Sequence, residues 1–285
     1  DAQADHDSAR EWHQAISQSH LFLEQRDHPI VFIGEVGVGK SSLVAVAARL
    51  LRSDAAPHDR TSLKSQSLLA IGAGRTTICE VRVSAPPLSS NEGGISLEID
   101  PIDPAELEQL VALWAEDEWR RRQGHTRMPE EAPPTPQEVA RALRAMAGYS
   151  ERVESYRDGQ LSRRRTIQPL DDVVPQFKSA EQLAEHLRIR INFPQRTELR
   201  WSWSDASESS LQKLKEKAEA INAGTEPSAS LPRTMTFILP QILEGLSSAI
   251  STSKPLALEL YDTRGLDAGV GLFGRPDLQE FVAND

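Results

Sequence analysis

"IVFIGEVGVGKSSLVAVAARLL", residues 30–51, decides the fold, because it joins a short apolar segment to a helix through a glycine-rich loop. "IVFIG" (30–34) is continuously apolar, which is typical of a strand buried on both faces of a parallel sheet. "KSSLVAVAARLL" (40–51) is rich in Ala and Leu and predicts a helix. A strand, a glycine loop and a helix in direct succession predict an α/β fold with a phosphate-binding loop.

The loop "GEVGVGKSS" (34–42) matches the pattern G-x-x-x-x-G-K-[ST]. Its glycines allow the backbone to wrap closely around a phosphate, and successive N–H groups form an anion nest at a helix N-terminus. Lys40 is expected to reach the β- and γ-phosphates, and the Ser41 hydroxyl is expected to ligate Mg²⁺. A chance glycine turn is the alternative, but the flanking strand and helix stand where a nucleotide site requires them. The predicted nucleotide contacts are Gly34, Glu35, Val36, Gly37, Val38, Gly39, Lys40, Ser41 and Ser42.

A second motif lies in "PLALELYDTRGLD" (255–267). Asp262 ends an apolar strand, where a phosphate-loop fold places a carboxylate that holds Mg²⁺, usually through water. Residues 262–265 also match D-x-x-G, in which the glycine N–H bonds the γ-phosphate and lets the loop move after hydrolysis. The alternative is a strand that ends in an ordinary Asx turn.

Together, "GEVGVGKSS", "GRTT" (74–77) and "DTRG" (262–265) resemble the motifs of P-loop GTPases, in the broad class of dynamin-like and septin-like large GTPases. The resemblance covers only the core and implies a Rossmann-like P-loop NTPase fold that uses Mg²⁺ and GTP or ATP. The base-selecting [NT]-K-x-D pattern is not found in the sequence, and Leu266 follows DTRG where some small GTPases carry a water-positioning Gln. The choice between guanine and adenine therefore stays open, with GTP favoured.

By the same resemblance, "GAGRTTICEV" (72–81) occupies the place of switch I, immediately before a strand. Thr76 or Thr77 is then a Mg²⁺ ligand beside Ser41 and Asp262. Arg75 becomes a candidate for neutralising charge on the transferred phosphoryl group, with a salt bridge to a nearby glutamate as the alternative. For the threonines the alternative is β propensity after a glycine turn. The resemblance assigns catalysis to Lys40, Arg75, Thr76, Thr77, Asp262 and Gly265.

The rest of the chain divides around this core. An N-terminal helix (1–27) is expected to precede an α/β core made of residues 28–100 and 233–285, interrupted by a mainly α-helical insertion (101–232). We expect the core to continue past Asp285. Start signals such as the Asp103-Pro104 capping box predict the insertion's helices. The expected strands are 77–83 and 95–99, paired as a hairpin, together with 234–239 and 255–262.

Charge and cysteine content exclude several classes of protein. A formal net charge of −10 argues against a protein that coats nucleic acid or a membrane surface, although it permits a local basic patch. Two basic runs, "WRRRQGHTR" (119–127) and "SRRRT" (162–166), are interpreted as solvated faces or internal ion pairs rather than as a nucleic-acid site. The single cysteine, Cys79, fits a reducing cytoplasm. No apolar run approaches the ~18 residues of a membrane helix, so no membrane segment is expected.

Three functions follow as hypotheses. The favoured one is a Mg²⁺-dependent GTPase that acts as a nucleotide-dependent switch on a protein partner, or on a second copy, through its insertion. The second is an ATPase module of a multi-component machine in defence or DNA processing. The third is a nucleotide-binding scaffold with little hydrolysis.

Overall fold

The computed structural model describes ten ranges of the chain: residues 12–13, 16–17, 27–33, 40–47, 67–68, 78–85, 94–124, 135–158, 161–239 and 257–262. Within them the α-helices are α1 (Lys40–Ala47), α2 (Pro104–Gln123), α3 (Gln137–Met146), α4 (Ala180–Ile191) and α5 (Glu208–Asn222). The strands are β1 (Asp27–Phe32), β2 (Glu80–Ala85), β3 (Ile95–Pro101), β4 (Arg152–Asp158), β5 (Leu161–Ile167), β6 (Arg200–Trp203), β7 (Pro232–Ile238) and β8 (Ala257–Asp262).

Six of these strands form one mixed sheet in the order β1-β8-β2-β7-β3-β6, and β4 and β5 form a separate two-stranded ribbon. The pairs β1·β8 and β2·β7 are parallel, whereas β8·β2, β7·β3 and β3·β6 are antiparallel. The α/β class predicted from the sequence is therefore confirmed.

The predicted hairpin between residues 77–83 and 95–99 is wrong. Both segments form strands, but β7 lies between them, because β2 pairs with β8 and β7 while β3 pairs with β7 and β6. Alternating hydrophobicity identifies which face of a strand is buried, and it carries no information on the neighbouring strand. The connection between the two strands is also longer than the two- to five-residue loops that specify hairpins.

The expectation that the first strand is buried on both faces is also wrong. Ile30 is 44% exposed, and β1 stands first in the order of the described strands, so only β8 flanks it there. Of the predicted N-terminal helix, residues 12–13 and 16–17 are described and helical, with Trp12 and Ile16 exposed.

The insertion is mainly α-helical, as expected, with the helices α2 to α5. Before α2, the Asp103 carboxylate accepts a hydrogen bond from the Ala105 N–H at 2.8 Å, which caps the helix as its sequence predicts. Glu106, the other half of the expected capping box, instead pairs with Arg233 at 2.7 Å. Among the described residues, none of the helices combines the length and apolar character needed to cross a bilayer.

The insertion also contributes to the main sheet. Strand β6 lies between α4 and α5 in sequence and pairs with β3, and its Trp201 is buried in the shared core. Helix α5 packs against β3 and β7. The helical region therefore shares its core with the sheet that carries the predicted nucleotide motifs.

Gly224 allows the end of α5 to pack closely against the backbone of α3. Its φ is +73°, and a Cβ there would lie 2.9 Å from the Ala142 carbonyl carbon and closer still to the oxygen. Gly124, which caps α2, has a similar φ of +70° but open space around it. We expect Gly124→Ala to lower the free energy of unfolding by about 1–2 kcal/mol, the cost of a left-handed backbone. Gly224→Ala should cost about 1–3 kcal/mol more through overpacking.

Chemical unfolding of both variants measures this difference directly, because the backbone term is common to the two positions. Equal losses at Gly124 and Gly224 would contradict a tight contact between α5 and α3.

Candidate functional site

The parallel pairing of β1 and β8 brings the two predicted nucleotide motifs to one edge of the sheet. Phe32 at the end of β1 is the register partner of Asp262 at the end of β8. In open α/β sheets ligands bind outside the carboxyl ends of such strands. The loop that follows β1 therefore starts beside the Asp262 carboxylate.

Helix α1 contacts β8 near this edge of the sheet. It begins at Lys40, and its Val44 and Ala45 are fully buried, so the helix is held firmly in the core. The Ser41 hydroxyl donates a hydrogen bond to Oδ2 of Asp262, across 221 positions of sequence. The structure thus brings together a hydroxyl from the first motif and a carboxylate from the second.

The Asp262 carboxylate is buried and only partly satisfied. It is 2% exposed, and its Oδ1 atom has no hydrogen-bond partner among the described residues. Burial raises its pKa, and the hydrogen bond from Ser41 and the positive charge of Lys40 act in the opposite direction. Burial likewise lowers the pKa of Lys40, and the charge of Asp262 opposes that shift. Within the described part of the chain, the Asp262 carboxylate is therefore only partly compensated.

These groups fit a Mg²⁺ site. Mg²⁺ prefers oxygen ligands, keeps several waters and uses one or two carboxylates, and the Ser41 hydroxyl and the Asp262 carboxylate supply such oxygens in contact with each other. The unpartnered Oδ1 atom leaves an acceptor for a metal-bound water. A larger cage of three or more His, Cys, Asp or Glu side chains does not occur in the described ranges.

The segment predicted as switch I enters the sheet at this same edge. Strand β2 runs antiparallel to β8, and Val81 near its start is the register partner of Asp262. Ile78 and Cys79, just before β2, are buried. The start of β2 therefore lies beside the carboxyl end of β8, at the edge where β1 also ends.

Helix α5 of the insertion bonds Ile78, two residues before this strand, in a way that no sequence motif indicated. The Asn222 side-chain Oδ1 accepts a hydrogen bond from the backbone N–H of Ile78 at 2.9 Å. Asn222 is the last residue of α5 and lies 144 positions from Ile78 in sequence. The predicted switch and the insertion are thus joined by a direct polar contact.

A polar cluster that sequence reasoning also missed lies on the opposite face of β2 and β8 from Asp262. Arg82 pairs with Glu259, its guanidinium lies 5.2 Å from the centre of the Tyr261 ring, and the Tyr261 hydroxyl donates to Glu259 at 3.1 Å. Burial is the main reason that the pKa of Tyr261 is raised to about 12. The alternation in "EVRVSA" and "ALELYD" places these residues on one face, but only the strand pairing joins them.

The first basic run of the insertion is neutralised internally, as expected. Arg121 pairs with Glu118 at 2.6 Å, and Arg144 pairs with the same buried carboxylate at 2.6 Å. Burial acts to raise the pKa of Glu118, but the hydrogen bonds from the two arginines outweigh it and lower that pKa. The other pairs of the run are Arg120 with Glu116 and Arg122 with Asp171. Within residues 119–124 the prediction of internal ion pairs is therefore confirmed.

Of the predicted site residues, the structure describes Lys40, Ser41, Ser42 and Asp262, and it brings Ser41 and Asp262 into contact. The remaining ones lie outside the described residues and stay predictions: Gly34, Glu35, Val36, Gly37, Val38, Gly39, Arg75, Thr76, Thr77 and Gly265.

Comparisons of this chain with protein-family models, with curated proteins and with solved structures found no match. The function is therefore inferred from the contact between Ser41 and Asp262 at the end of β8.

Proposed function

We propose that this protein is a Mg²⁺-dependent P-loop NTPase, with GTP favoured over ATP, that signals its nucleotide state through the helical insertion. The contact between Ser41 and Asp262 carries the proposal, since it joins the last fixed position of the loop motif to the first position of D-x-x-G. Ser41 and Asp262 would hold Mg²⁺, which when bound neutralises phosphate charge and orients the β- and γ-phosphates.

Lys40 and helix α1 would bind the phosphates. Lys40 is the first residue of α1, where free backbone N–H groups and the helix dipole favour an anion. Burial destabilises the charged form of its ammonium, and a phosphate beside it would restore that form. Mg²⁺ would compensate the buried carboxylate of Asp262, and a polyphosphate would favour the charged form of Lys40.

The hydrogen bond from Ile78 to Asn222 supports a role for the insertion in signalling. Residues just before Ile78 would move with the γ-phosphate if they form switch I, and Asn222 would transmit the movement to α5. The end of α5 is in turn packed tightly on α3 at Gly224. A short series of contacts therefore runs from the nucleotide edge into the helical region.

Substitution of Asn222 tests this connection. Asn222→Ala removes the acceptor and should cost about 1–3 kcal/mol of stability because the half-buried Ile78 N–H loses its partner. Asn222→Asp keeps a side-chain oxygen at that position and should lose much less. In hydrogen exchange, addition of nucleotide should protect α5 in the parent and in Asn222→Asp but not in Asn222→Ala. Nucleotide-dependent protection of α5 that is equal in all three proteins would contradict the connection.

Phosphate release measured with GTP and with ATP, in Mg²⁺ and in EDTA, separates the three candidate functions. Release that requires Mg²⁺ and is faster with GTP supports the proposed switch. Faster release with ATP favours the ATPase module, and tight binding without release favours the scaffold. Release that is indifferent to EDTA would contradict the metal site at Ser41 and Asp262.

A further inference from the structure

The second basic run of the insertion lies on the β4–β5 ribbon, which projects from the helical region. The two strands pair with each other and stand outside the main sheet. Every described side chain in residues 152–155 and 164–166 is exposed. The base of the ribbon is fixed, because Glu151 accepts a hydrogen bond from Arg144 at 3.0 Å and Gln168 donates to the same carboxylate at 3.4 Å.

The ribbon carries a positive charge that the other described residues do not neutralise. Residues 152–167 contain five arginines and two carboxylates, in a chain whose net charge is −10. The side chains of Arg152, Arg164 and Arg165 form no ion pair or hydrogen bond with other described residues, although Glu154 is the register partner of Arg165. This differs from the first basic run, in which Arg120, Arg121 and Arg122 all have carboxylate partners.

One face of the ribbon combines arginine with hydroxyl groups. Ser155 is the register partner of Arg164, and Thr166 lies two residues further along β5, so all three share a face. Arginine, serine and threonine are among the side chains that contact DNA phosphates. The same face has an exposed apolar residue, Val153, which is 65% exposed.

The shape of the ribbon selects among the nucleic acids. Two strands about 4.8 Å apart fit the major groove of B-form DNA, which is about 12 Å wide and admits a two-stranded β-ribbon. The major groove of A-form RNA is too narrow for this. We propose that the β4–β5 ribbon docks on double-stranded DNA and binds its phosphates through Arg164 and Arg165, which lie on opposite faces of β5 and so would face the two phosphate backbones that line the groove.

Fluorescence anisotropy with a labelled DNA duplex of mixed sequence tests this proposal. The double variant Arg164→Ala/Arg165→Ala should bind about tenfold or more weakly at low salt, and its log–log salt slope should fall by about 2, since each phosphate contact contributes about 0.9. The matched control is Arg200→Ala/Arg233→Ala, which removes the same charge from exposed arginines paired with carboxylates. The control should keep the affinity and the salt slope of the parent.

Equal binding by the two double variants, or no duplex binding by the parent at low salt, would overturn the proposal. A parent that binds poly-glutamate, single-stranded DNA or double-stranded RNA as tightly as duplex DNA would also overturn it. Circular dichroism and the unfolding midpoint should be unchanged in the ribbon variant, because both side chains are exposed. Arg164→Glu/Arg165→Glu provides a second variant, which should abolish duplex binding while leaving nucleotide affinity intact.

Discussion

Lys40→Ala should abolish measurable phosphate release and weaken binding of nucleoside triphosphate by about 10- to 100-fold. The affinity loss corresponds to one charge-assisted hydrogen bond of about 1.5–3 kcal/mol. The rate should fall by a further ~100-fold or more, since the ammonium would act on charge that develops in the transition state. Lys40 is half-buried at the start of α1, so truncation to alanine leaves the helix and its buried Val44 and Ala45 in place.

The matched control is Lys178→Ala, which removes an exposed lysine just before α4. That variant should release phosphate at the parent rate. The assay compares steady-state release and equilibrium binding in the same Mg²⁺ buffer. If Lys40→Ala and Lys178→Ala behave alike, the loop motif does not form the nucleotide site.

Asp262→Asn should separate stability from activity. The parent carboxylate is buried, and its Oδ1 atom has no partner among the described residues, so ionisation of this group opposes folding when no ligand is present. Asparagine keeps the shape and an acceptor for Ser41 but carries no charge. We expect the variant to be more stable than the parent at neutral pH without ligands, and to lose about 10- to 100-fold in Mg²⁺ affinity and with it Mg²⁺-dependent turnover.

The pH dependence of unfolding gives an independent measurement on Asp262. Because its folded-state pKa is raised above the ordinary value of 3.8, the stability that its proton contributes is fully present below pH 3.8. That stability is lost as the pH rises through the folded-state pKa. The free energy of unfolding of the parent should therefore decrease relative to that of Asp262→Asn over this range. A variant that is less stable than the parent at every pH would contradict the description of Asp262 as a desolvated carboxylate.

Local sequence patterns predicted the candidate site better than they predicted the sheet around it. "GEVGVGKSS" and "LALELYD" each carry the physical features of a phosphate loop or of a strand that ends in a carboxylate. The structure then places Phe32 opposite Asp262, as the ends of adjacent parallel strands require. Short-range patterns sufficed to predict β1, β8 and α1, because each of these elements depends on neighbouring residues. The predicted contacts of the loop at 34–39 lie outside the described residues and stay predictions.

Contacts between distant segments were outside the reach of such patterns. The partners of β2 and β3 were predicted wrongly, since alternation reveals a buried face and leaves the neighbouring strand open. The bond between Ile78 and Asn222 joins a strand to a helix end across 144 positions, and no local feature of either residue indicates it. The two basic runs look similar in sequence, and only the position of Asp171 and Glu118 near the first run distinguishes them.

Contacts between the start of β2 and the insertion could transmit a movement of the proposed switch to the helices. Two described contacts, Asn222 with the Ile78 N–H and Gly224 with the backbone of α3, run from the proposed nucleotide site's edge of the sheet into the helices. Helix α3 also carries Arg144, which holds the base of the β4–β5 ribbon through Glu151. Nucleotide binding and DNA binding would therefore be expected to influence each other in both directions, as thermodynamic linkage requires.

Calorimetric titration of the parent protein with slowly hydrolysed analogues of GTP and ATP, in Mg²⁺ and in EDTA, is a direct test of the proposed Mg²⁺-dependent nucleotide site. We expect saturable binding at one site per chain. The affinity should be higher for the GTP analogue, lower in EDTA and at least tenfold lower in Lys40→Ala. The absence of binding by either analogue in Mg²⁺, or binding unaffected by Lys40→Ala, would contradict the proposed site.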